Sequence, residues 1–127
     1  MHVLMLTQKV SRADPLLGFA HGWITELASR VRRLTVICLE EGDHDLPGNV
    51  RVLSMGKERN RGRAGLLVGL IRALAQAVPQ ADVVFGHMIP RYTLVAAPFT
   101  RRYGLPIVQW YTHRNVTTEL RIVHRLA

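Results

Sequence analysis

Apolar residues along this chain gather into short, nearly continuous runs rich in Val, Ile and Leu: "HVLML" (2–6), "LTVICL" (34–39), "VRVLSM" (50–55), "DVVFG" (82–86) and "PIVQWY" (106–111). Runs without strict alternation are what parallel strands covered on both faces produce, so each predicts a buried strand. "VRVLSM" alternates in part, which places it near a sheet edge. Between the runs the spacing turns helical. In 18–31, Ala20, Trp23, Ile24, Leu27, Ala28 and Val31 recur three and four residues apart, with Thr25, Glu26, Ser29 and Arg30 on the other side. Asp14 followed by Pro15 is a helix-start signal just upstream. "RAGLLVGLIRALAQAV" (63–78) is apolar almost all round and stops before Pro79. "YTLVAAPFTRRY" (92–103) predicts a helix ended by Gly104, with Pro98 predicting a short first turn or a kink. "NVTTELRIVHRLA" (115–127) predicts another helix, with Asn115 as its N-cap, still in progress at Ala127, so the chain is expected to be truncated there.

Strands alternating with helices predict an α/β fold, a doubly wound, Rossmann-like parallel sheet built from right-handed crossovers. A loop, "EEGDHDLPGN", joins the second and third runs, and the chain must cross back after the third; the strand order is therefore expected to be 3-2-1-4-5. In such sheets ligands bind beyond the carboxyl ends of the strands, where the winding reverses, here between the first and fourth. Three segments are expected to meet there: "TQKVSRADPLLG" (7–18), "GHMIPRY" (86–92) and "YTHRN" (111–115).

Composition narrows the class without choosing a function. The 127 residues fit one domain, and 48% hydrophobic against 20% charged is globular rather than disordered. Seventeen basic and nine acidic residues give a net charge of +8, a surface that favours anions such as nucleotides, phosphorylated intermediates, nucleic acid or an anionic membrane. Fifteen of the basic residues are Arg, whose planar fork suits phosphate, although a compositional bias of the genome would give the same excess. Cys38, the single cysteine, lies inside an apolar run, so a buried thiol in a reducing compartment is expected. The start has no basic n-region, and "AGLLVGLI" (64–71) is far shorter than the roughly 20 residues of a membrane span; a cytoplasmic location is expected. "NVT" (115–117) matches an N-glycosylation acceptor and, without an export signal, reads as accidental.

In the first loop, a helix N-terminus at the crevice offers N–H groups to a phosphate; Gly18 would let backbone approach it, and Lys9 and Arg12 would add charge. The alternative is that Gly18 only permits a turn. Gly18 and Gly22 do not form GxGxxG, and the loop is too long for the tight turn of a dinucleotide site, though Glu40 and Glu41 stand where a ribose-binding acid would. His87 follows Gly86 at the end of the fourth strand and His113 follows the fifth. Either imidazole could bond a sugar hydroxyl or, protonated, a phosphate; the alternative is a surface or satisfied core histidine. No HExxH, second cysteine or compact ligand spacing supports a metal site. GxSxG is absent, and Asp14, Asp43, Asp45 and Asp82 supply no carboxylate pair at the crevice, so acid–base chemistry would rest on a histidine. The basic loop "KERNRGR" (57–63) reads as solvated surface or, beside the apolar segment 63–78, as a peripheral contact with the inner face of an anionic membrane. Aromatic residues do not interleave with the arginines, so specific nucleic-acid binding is not expected.

Taken together, "HVLMLT", "LLGFAHGWITELASRVRRLTVICLE", "ADVVFGHMIPRYTLVAAP" and "LPIVQWYTHRNVTTELRIVHRLA" resemble the N-terminal domain of retaining, family 4-type glycosyltransferases of GT-B architecture, over nearly the whole chain. The resemblance implies two Rossmann-like domains across a cleft, residues 1–127 being the acceptor-side one. It implies that Gly18 approaches the donor pyrophosphate, that His113 is catalytic and contacts the transferred sugar, and that Tyr111 supports it. His87, Met88 and Arg91 would line the acceptor side. The substrates would be a nucleotide-sugar and a carbohydrate or lipid-linked acceptor, with neither cofactor nor metal. This sequence departs from the family in lacking the C-terminal half that supplies the paired glutamates and most of the nucleotide pocket, so the chain alone is expected to be inactive. The first loop also has one glycine where many relatives have two, and the fifth strand would lack its next neighbour. Two other readings stay open: a stand-alone nucleotide- or anion-binding module acting with a partner subunit, and a dinucleotide-dependent enzyme.

Overall fold

Five strands, β1 (His2–Val10), β2 (Arg33–Glu41), β3 (Val50–Ser54), β4 (Val83–His87) and β5 (Ile107–Trp110), form one sheet in the order β3-β2-β1-β4-β5. Every pairing is parallel, so the order read from the connections holds. The computed structural model describes residues 1–14, 18–112, 121, 122 and 125. The helix expected over 115–127 lies outside them except at Arg121, Ile122 and Arg125, which are helical.

Strand alternation divides the core in two. Leu4, Leu6, Ile37 and Val84 point to the face covered by α2 (Arg63–Ala77) and α3 (Pro90–Tyr103), where Leu70, Leu74 and Ala96 meet them. Val3, Met5, Val36 and Cys38 point to the opposite face, against Ile24 and Ala28 of α1 (Phe19–Ala28). Because both faces of the central strands are covered, their sequences are apolar at successive positions rather than alternate ones. A Cβ at Gly69 would stand 2.8 Å from the Met55 carbonyl oxygen, so this glycine lets α2 pass close over the chain leaving β3.

Two boundaries differ from the sequence reading. The first strand runs on to Val10 rather than ending near residue 6, so residues 7–10 are strand and not loop. Its polar extension is held by register: Lys9 lies beside Glu40 and Val10 beside Glu41 on β2, a side-by-side pairing of opposite charges that hydropathy along one strand does not reveal. The third helix begins at Pro90 instead of 92 and passes through Pro98. Pro90 sits in the first turn, where a missing N–H costs nothing, and Pro98 is exposed, so the carbonyl it leaves without a helical partner can reach water. Gly104, with φ of 66°, ends the helix in the left-handed conformation, and the Leu105 N–H donates back to Thr100. Among the described residues β3 is one edge of the sheet, as its alternation suggested, and β5 is the other.

Candidate functional site

At the carboxyl ends of β1 and β4 the winding reverses, since α1 leaves β1 over one face and α3 leaves β4 over the other. His87 is the last residue of β4 and is 2% exposed. Its ring lies on the α1 side, stacked on Trp110 at 5.0 Å between centroids and 3° between planes. Trp23 approaches it at 5.2 Å and Phe19 at 5.9 Å, both from the first half of α1. The two tryptophans are themselves 4.6 Å apart. Strand periodicity places the group: Phe85, His87, Val108 and Trp110 share one sheet face, and positions 19 and 23 lie one turn apart on the helix above it.

The polar connections of the imidazole are few. Its Nδ1 lies 3.0 Å from Thr7 Oγ1 in a buried hydrogen bond. Its Nε2 is buried and has no hydrogen-bond partner among the described residues. Desolvation by burial lowers the pKa of the ring, so the neutral form is favoured. A neutral imidazole can donate or accept at Nε2, according to which proton Nδ1 shares with Thr7.

Met88 follows with φ of 71°, a left-handed backbone that a non-glycine side chain rarely adopts. It is fixed by its own N–H donating to the Trp110 carbonyl at 2.9 Å and by Thr112 Oγ1 at 3.5 Å from its sulfur. Such strain costs on the order of 1 kcal/mol and persists where the surroundings over-determine it, commonly at binding sites. Beneath this corner, Gly86 leaves room for Thr93 Oγ1 to bond Gln109 Oε1 at 2.6 Å, tying α3 to β5.

These residues border a cavity of about 330 Å³ whose walls include Thr7, Lys9, Phe19, His87, Met88 and Ile89. Lys9, His87 and Met88, expected at the crevice, are thus brought together. Lys9 does not present an uncommitted charge: its ammonium pairs with Asp14 at 2.9 Å and Glu40 at 3.5 Å. The hydrogen bond to Asp14 raises its pKa against partial desolvation, helped by the charges of Asp14 and Glu40. Gly18 adopts an ordinary right-handed conformation, and its N–H donates to the Asp14 carbonyl at 2.9 Å. A Cβ there would collide with that same oxygen, so the glycine's visible task is the turn into α1. Arg12 is exposed in the turn after β1, with its N–H on the Asp43 carbonyl, and is not among the cavity walls.

Arg91 goes elsewhere. With Tyr92, Val95, Arg63 and Leu67 it lines an apolar cavity of about 430 Å³ on the α2–α3 side, so it does not share a wall with His87. Tyr111 is half-buried just beyond Trp110, and His113 lies outside the described residues. Among the described residues no group of three or more His, Cys, Asp or Glu could hold a metal ion. Cys38 is buried, and burial, with Glu41, Glu58 and Glu40 nearby, pushes its thiol up to about 12. It is not a nucleophile at neutral pH.

Sequence reasoning missed Thr7, Phe19, Trp23 and Trp110. Trp23 reads as one more apolar position of a helix and Trp110 as one more of a strand. The available signal was topological: both lie at the carboxyl end of a sheet whose winding reverses beside them.

Comparison with known proteins finds no family model that matches the chain and no curated protein that matches it.

Proposed function

We propose that this chain is the acceptor-side, Rossmann-like domain of a retaining family 4-type glycosyltransferase, which moves a sugar from a nucleotide-sugar to a carbohydrate or lipid-linked acceptor. The proposal rests on the sequence resemblance, and one structural observation favours it. A buried imidazole with an unpartnered Nε2 is packed among aromatic rings, and it and one of them, Phe19, border a cavity at the switch point. A saccharide presents C–H groups on its faces and hydroxyls at its rim; aromatic rings pack on the former and a neutral imidazole bonds the latter.

In this reading His87 is a binding residue, Met88 shapes the wall beside it, and His113 is the residue assigned to the transferred sugar. Gly18 and Lys9 would meet the donor phosphates only after Asp14 releases them. The transition state, with charge developing on the sugar and the departing diphosphate, would be stabilised by positioned dipoles and charges drawn from both halves of the enzyme. Neither a cofactor nor a metal enters the proposal.

Both tryptophans of the chain belong to the His87 cluster, so fluorescence excited selectively at tryptophan reports on this site. Titration with glycosides should give a saturable change that His87→Ala abolishes. The isolated chain should neither transfer sugar nor hydrolyse donor. Glycosides that leave the fluorescence unchanged, or turnover by the chain alone, would count against the proposal, and saturable binding of NAD or FAD would favour a dinucleotide-dependent enzyme.

A further inference from the structure

The outward side of α2 is apolar. Leu67 is 48% exposed, Val68 48% and Ile71 42%, and Ala64 and Ala75 extend the same stripe. At about 100° per residue these five positions fall within roughly 100° of the helix circumference, adjoining the buried side made by Leu70, Ala73, Leu74 and Ala77 and turned about 120° from its centre. Exposed Arg63 and Arg72 flank the stripe on its two sides, and Lys57, Arg59 and Arg61 are exposed in the segment leading into the helix.

Acidic residues offset little of this charge. None occurs between Glu58 and Asp82. Glu58 itself accepts from Ser54 Oγ at 2.9 Å and from the Glu41 N–H at 3.2 Å. Burial acts to raise its pKa, but these hydrogen bonds, with its own amide and Arg59, outweigh that and hold it lowered and ionised. Its Oε1 also lies 3.8 Å from Arg59 Nε, so one of the five cations is partly offset.

We propose that α2 and the basic segment before it seat this protein peripherally on an anionic lipid bilayer. The stripe enters the boundary between headgroups and acyl chains, and the five cations meet lipid phosphates around it. Among the described residues no helix is long and apolar enough to cross a membrane, so the contact is a surface one. A second copy of the chain fits this face poorly: stripe against stripe would bring two sets of cations together with no acidic residue on either helix to pair them. The inference does not depend on the glycosyltransferase reading.

Sedimentation of the full chain with vesicles tests it. Binding to phosphatidylglycerol vesicles should exceed binding to phosphatidylcholine vesicles by at least tenfold and weaken with added salt. Arg59→Gln with Arg63→Gln should weaken it by roughly 25-fold, at about fivefold for each cation removed. Leu67→Ser with Ile71→Ser, checked for an unchanged circular dichroism spectrum, should weaken it at least as much while leaving the response to glycosides intact. Equal binding to both vesicles, no binding, or a concentration-dependent dimer that the serine variant dissociates while vesicles have no effect would each overturn the proposal.

Discussion

His87 carries a specific electrostatic expectation. Its pKa lies below the ordinary histidine value because burial disfavours the charged ring. Between the folded pKa and about 6.5 the unfolded chain therefore binds more protons than the folded one, and this residue's contribution to stability rises with pH across that window. Urea melts from pH 5 to 7.5 should show wild-type protein gaining stability relative to His87→Gln as pH rises; a flat difference would mean the ring is solvated. Cys38 gives a simpler test. With its thiol pushed up to about 12 and no exposed sulfur, it should resist alkylation at pH 8 and react only on unfolding. At this scale the sequence was a partial guide. The position of His87 at the crevice was legible because it follows an apolar run, whereas Met88 was singled out by the family resemblance; Lys9 was legible as a crevice residue but not as one already paired, since Asp14 and Glu40 reach it only through the turn and the strand register.

Among the elements, α2 is held by a glycine whose cost and benefit can be compared. Gly69→Ala would gain up to about 1 kcal/mol in helix propensity. It would also press a methyl group against the Met55 backbone, which cannot turn aside as a side chain would, at about 1–3 kcal/mol. The contact should win, and a thermal melt should show a Tm lower by several degrees. Truncating the sheet's centre should cost more: Leu4 is 0% exposed, and Leu4→Ala should lose about 2–5 kcal/mol in denaturant titration. Element types and order were readable because continuous apolar runs and helical periodicity leave few alternatives. Boundaries were less so, and for physical reasons: Lys9 and Val10 extend β1 through their neighbours on β2, and Pro98 is accommodated because it faces solvent.

For the whole molecule, the arrangement of layers decides what is exposed. One described helix covers the α1 side of the sheet and two cover the other, so Val108 on β5 is left 53% exposed while Trp110 is drawn under Trp23. The cluster that unites α1, β4 and β5 is thus a product of topology, which explains why its aromatic members were invisible one element at a time. The basic, apolar surface of α2 was legible in outline, because charge and hydropathy are properties of a single segment. That Glu58 is engaged by Ser54 and Glu41 was not, because it depends on neighbours from β2 and β3.

The middle strand also sets a timetable. β1 takes β4 as its second neighbour only across eighty positions, Leu4 aligning with Val84, so every element between must be threaded before that seam can close. Seams of such span form late, and refolding after dilution from urea should take milliseconds to seconds, not the microseconds of a small helical bundle. Until then β1 is a bare, greasy ribbon, and yields should fall as protein concentration rises.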